Sequence, residues 1–107
     1  MATITRGPTD ELLLQLKGAL DAYERDNPTA IATLYRQNSA SIRVRIVDDG
    51  FIGLSRGERQ KRVWGFLSDR VPQDDLEEVS VLLLISQAEQ NSSFLNSEFN
   101  DPVSSGI

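Results

Sequence analysis

Apolar residues recur at spacings of three and four near the start of the chain, at Leu12, Leu13, Leu16, Ala19, Leu20 and Tyr23. That period puts them on one face of a helix, and the face must lie on something. Thr9 is placed to cap its start, with Asp10 and Glu11 where the positive end of the helix dipole favours them. Pro28 ends it, because proline disfavours helical geometry in Asn27 and cannot continue the hydrogen-bond ladder. From Ala30 to Arg36 the pattern changes to that of a strand, with Ile31, Thr33 and Tyr35 on one side and Ala32 and Leu34 on the other. Gln37 to Ala40 is a polar connection of hairpin length, so this strand should pair antiparallel with the next. That next strand, Ile42-Arg43-Val44-Arg45-Ile46, alternates strictly between apolar and basic, the period of a half-buried strand.

Gly50 and Gly53 flank Phe51 and Ile52, which predicts a tight turn whose apolar residues anchor in the core. Ser55 followed by Glu58 is a capping box, and the helix it starts runs to Leu67. Around that helix Arg59, Val63, Phe66, Leu67 and Arg70 share one side, the arginines as stems that lie along apolar surface, with Gln60 and Trp64 together on the flank. Pro72 and the acidic residues from Asp74 to Glu78 predict a turn or a single helical turn. Val79 to Ser86 is the third strand, and its centre, Val81 to Ile85, is apolar at every position, as in a strand covered on both sides. Ser86 and Glu89 repeat the capping-box spacing and start a final helix in which Phe94, Leu95 and Phe99 pack back. The order is helix, strand, strand, helix, strand, helix: an α+β domain with a three-stranded mixed sheet and its helices on one face. The whole chain forms this single domain, with residues 1–8 and 102–107 as loose termini.

The stretch around the central helix resembles the BolA-like family, whose members carry an Asp, a Phe and a Gly at short spacing before a capping Ser. An E-R-H triplet and a V-x-x-x-L repeat follow on the helix. The corresponding residues are Asp49, Phe51, Gly53, Ser55, Glu58, Arg59, Val63 and Leu67. The weaker resemblance runs from Ala30 to Glu89, and it implies the element order derived above, a relative of the type II KH arrangement. The family's signature histidine falls on Gln60.

Composition narrows the chemistry. The chain of 107 residues has no cysteine and no histidine, which leaves only oxygen and amide donors and argues against cofactors, zinc and iron–sulfur clusters. The cluster-ligand positions implied by the resemblance fall on Glu78 or Val79 and on Gln37, Asn38 and Ser39, none of which suits that role. The neighbouring carboxylates Asp48-Asp49, Asp74-Asp75 and Glu77-Glu78 point apart in strands and turns and read as solvated charge, so no enzyme is expected. No apolar stretch reaches membrane-spanning length, which points to a cytoplasmic protein with no membrane partner. The net charge of −5 hides an asymmetry: from Arg36 to Arg62 seven basic residues outnumber three acidic ones.

Three candidate surfaces follow. Arg43, Arg45, Arg56, Lys61 and Arg62 form a basic patch for nucleic acid or a partner, with the G-x-x-G at Gly50 to Gly53 more simply a structural turn. Gln60 and Trp64 form a candidate partner anchor. With Ile42, Val44 and Ile46 turned toward the helices, together with Val79, Val81, Leu83 and Ile85, the residues Leu34, Leu82 and Leu84 are left on the open face as a patch for a homodimer. The expected function is a non-enzymatic protein-interaction or regulatory module. The alternatives are a nucleic-acid-binding regulator and a self-associating structural protein.

Overall fold

The computed structural model describes residues 1–101. Its elements are β1 (Thr3–Ile4), α1 (Glu11–Asp26), β2 (Ile31–Asn38), β3 (Ser41–Val47), a single 3-10 turn (Asp49–Phe51), α2 (Arg56–Ser68), α3 (Gln73–Leu76), β4 (Val79–Ile85), α4 (Gln87–Gln90) and α5 (Phe94–Asn100). The strands form one mixed sheet in the order β1-β2-β3-β4, with β2–β3 antiparallel and the outer two pairings parallel. The fold is therefore α+β with four strands, not three. The fourth comes from the first residues of the chain, expected to be loose: Thr3 and Ile4 pair with Thr33 and Leu34, and Ala2 is buried. The expectation for residues 102–107 falls outside the described residues.

The local signals hold at most boundaries. Both capping boxes form, Ser55 with Glu58 and Ser86 with Glu89, each with its hydroxyl and carboxylate accepting a backbone N–H. At the start of α1 the cap is Asp10, whose carboxylate accepts from the Leu13 N–H, one residue later than the Thr9 expected from sequence. Asp10 also reaches Arg36, and an ionised carboxylate serves both the N–H and the guanidinium where a hydroxyl would serve only the N–H. The final helix divides: α4 is one turn, and Ser93 caps the separate helix α5. Around the 3-10 turn Phe51 is fully buried while Ile52 is exposed, so only one of the two anchors is in the core. Gly53 takes φ +86°, a backbone conformation that favours glycine.

The larger core lies between the sheet and the pair α1 and α2. Leu13, Leu16, Leu20 and Tyr23 from α1, Val63 and Leu67 from α2, and Leu34, Ile42, Val44 and Ile46 from the sheet are all buried there. Fully burying one such aliphatic side chain contributes roughly 1.5–3 kcal/mol. A smaller cluster of Tyr35, Val47, Leu83, Ile85 and Phe99 lies on the opposite face, beneath α5. The helices are thus on both faces, which corrects the one-sided arrangement. A bulge in β4 decides which of its residues face which side: Ile42 pairs with Val79 but Arg43 pairs with Val81, so Ser80 is an extra residue that resets the alternation. After it, Leu82 and Leu84 turn toward α1 and α2, while Leu83 and Ile85 face α5.

Candidate functional site

The open-face patch of Leu34, Leu82 and Leu84 does not exist. Leu34 and Leu84 are buried in the larger core, and Leu82 packs against it. Val81, Leu83 and Ile85, assigned from sequence to the helix side, face α5 instead.

The basic patch divides across the sheet. Arg43 and Arg45 project to the α5 side, where the Arg43 guanidinium donates to both carboxylate oxygens of Glu98 at 2.8 and 2.7 Å. Arg45 donates to the side-chain oxygens of Asn96 and Asn100 at 2.7 and 2.6 Å and stacks over Phe99. The bond to Glu98 holds Arg43 above the usual arginine range, whereas burial pulls Arg45 below it. Arg56, Lys61 and Arg62 remain exposed on α2 but point in different directions, successive members of the trio being about 140° and 100° apart on a helix. No continuous basic surface joins the five. Among the neighbouring carboxylates, Asp48 is buried: it accepts from the Thr29 hydroxyl at 2.6 Å and from the Gly50 N–H at 2.9 Å.

Gln60 and Trp64 are brought together, with the indole N–H donating to the Gln60 carbonyl at 2.9 Å. The amide nitrogen of Gln60 then donates to the backbone carbonyl of Leu82 at 2.8 Å. The preceding residue, Arg59, donates to the Leu84 carbonyl at 3.0 Å, to the Leu54 carbonyl at 3.1 Å and to Glu89 at 2.8 Å. Glu89 is held below the usual carboxylate range, first by the Ser86 N–H of its capping box and then by Arg59. These bonds matter because β4 is the last strand of the sheet and its outer edge has no neighbouring strand. Its outward carbonyls are satisfied by side chains from α2 instead.

That edge forms the floor of a cleft of about 660 Å³. One wall is Arg56, Arg59 and Gln60 of α2, and the other is Glu89 with residues 92–95, the segment that enters and begins α5. Phe94 at its rim is 79% exposed and Leu95 46%, the two large apolar side chains of α5 that do not pack inward. Sequence reasoning assigned both to the core and so missed the cleft. The signal that could have found it is Ser93, a third serine cap that breaks the final helix and turns its first residues outward.

No helix among the described residues is long and apolar enough to cross a membrane. No family model, no curated protein and no solved structure matches the chain.

Proposed function

We propose that this protein is a non-enzymatic interaction module of the cytoplasm, built on a BolA-like scaffold, whose partner is a protein docking in the cleft beside β4. One observation carries the reading: an apolar side chain as large as Phe94 stands exposed at the rim of a cleft floored by a strand edge. Partly exposed aromatic residues beside a pocket are the usual anchors of protein contacts. The scaffold assignment rests on the motif from Asp49 to Leu67 and on the order of the six long elements. In place of the family's histidine, Gln60 secures a strand carbonyl. The test is a photo-crosslinking side chain at position 94, compared in the source cells with the same group at Leu14 of α1, an apolar position that is also exposed but lies outside the cleft. A discrete polypeptide captured from position 94 alone is the expected result. Equal labelling from both positions, or capture of nucleic acid, would overturn the proposal.

A further inference from the structure

The outer edge of β4 is unusual in which of its polar groups remain free. Its carbonyls at Leu82 and Leu84 are both occupied, by Gln60 and Arg59. The N–H and C=O of one residue in a strand point the same way, so the N–H groups of Leu82 and Leu84 face the cleft too. In the ladder the intervening residues are the ones that face β3, as the Asp48 N–H donating to the Ile85 carbonyl shows, and no loop carbonyl or side chain among the described residues accepts from either amide. Arg56, on the α2 wall, makes no ion pair among the described residues either, whereas Arg59 is matched by Glu89. The free polar groups of floor and α2 wall are thus two amide donors and a guanidinium.

From this we propose that the cleft binds an extended acidic peptide segment of a partner protein, recognised by backbone donors and Arg56 on one side and by Phe94 and Leu95 on the other. This rests on the reading of the cleft as a protein-docking site and specifies the chemistry of its ligand. Amides two residues apart in a strand are about 7 Å apart. That distance matches successive inward carbonyls of an extended chain, and a lone carboxylate is too short to span it. A regular fifth strand would also have to donate to Leu82 and Leu84, whose carbonyls are taken, so the segment binds as an acceptor without completing a ladder. A carboxylate on it pairs with Arg56, and an apolar side chain covers Phe94. A basic or strongly donor-rich segment would leave the free amides unmatched and set like charge against Arg56.

The test uses the full chain and synthetic peptides about eight residues long, the span of an ordinary strand. One peptide alternates Glu and Leu, and a second replaces every Glu with Lys. The expected result is binding of the Glu peptide only, with hydrogen exchange at the Leu82 and Leu84 amides slowed about tenfold at saturation and affinity about tenfold weaker in Arg56→Glu. Arg56 is exposed, so circular dichroism of that variant should match the parent protein. Binding that leaves both amides unprotected, equal binding of the Lys peptide, or no binding at about 1 mM overturns the inference. If position 94 still crosslinks a polypeptide in that case, the cleft remains a docking site and only the assigned chemistry fails.

Discussion

The two faces of this sheet are closed by different means. Beneath α1 and α2 the closure is apolar, with Leu13, Leu20, Phe51, Val63 and Leu67 fully removed from solvent. The opposite face is closed by α5, which is only seven residues long. Its five-member apolar cluster is supplemented by polar ties: the Tyr35 hydroxyl donates to the Phe99 carbonyl at 2.9 Å, Arg43 pairs with Glu98, and Arg6 donates to the Asn100 carbonyl. Buried polar groups without a partner among the described residues occur on both sides, the Nε–H groups of Arg43 and Arg45 here and the Tyr23 hydroxyl in the larger core. A helix of that length has no stability of its own in water and holds its place only by docking. The lesson is that long helices on a broad, mainly apolar interface are tied to global unfolding, whereas a short helix on a small mixed interface can open by itself.

The most severe challenge to that comparison is Leu84→Lys. An ammonium buried under α2 without a partner costs several kcal/mol, so this variant should not fold, as judged by circular dichroism. A well-folded Leu84→Lys protein would put that side chain on the other face and reverse the assignment.

Two truncations then measure the faces against each other. Leu20→Ala, in the larger core, should cost about 3 kcal/mol in urea denaturation. Phe99→Ala should cost about 2 kcal/mol, below the usual range for phenylalanine, because α5 can be released while the rest stays folded. Amide exchange separates the mechanisms: in Phe99→Ala the α5 amides should lose protection while those of α1 keep it. Loss of protection in both helices at once would show that the faces unfold together.

Gln60→Ala removes the cap on the Leu82 carbonyl and leaves the Trp64 indole without its acceptor. Since the strand edge is near water, the expected cost is about 1 kcal/mol. A loss several times larger would mean that α2 is held to β4 mainly through this amide.

Acid should produce the smallest effect and act on the α1 and α2 side first. The Leu13 N–H, then Arg36, hold Asp10 below the usual carboxylate range, and Glu89 is lowered by the Ser86 N–H and Arg59. A carboxyl lowered on folding binds more protons when unfolded, so its contribution is present above the unfolded value and is lost as pH falls through the folded one. Both carboxylates are more than a third exposed, so the combined loss should stay below about 1 kcal/mol. With no histidine in the chain, the melting temperature should be level from about pH 5 to about pH 7 and should decline only below about pH 4.5. A transition near pH 6 would contradict this assignment.

Much of the architecture could be read from the chain because its signals are local. The three-and-four spacing in α1, the alternation in β2 and β3 and the boxes at Ser55 and Ser86 each depend on residues within a turn or two. The choice of face for β4 has no such signal. From Val81 to Ile85 every residue is apolar, so hydrophobicity favours neither parity, and only pairing with β3 around the Ser80 bulge decides it. That one-residue shift moved Leu82 and Leu84 inward and undid the dimer surface. β1 escaped notice because two residues carry no period, and their strand geometry comes from pairing with β2. The same limit applies to the candidate site. Sequence alone marked Gln60 and Trp64 as neighbours on a helix and Arg43 and Arg45 as neighbours on a strand. Only the packed molecule gave the first pair a strand carbonyl to hold, closed α5 over the second, and left Phe94 standing beside a free edge, because long-range contacts decide which polar groups remain unmatched.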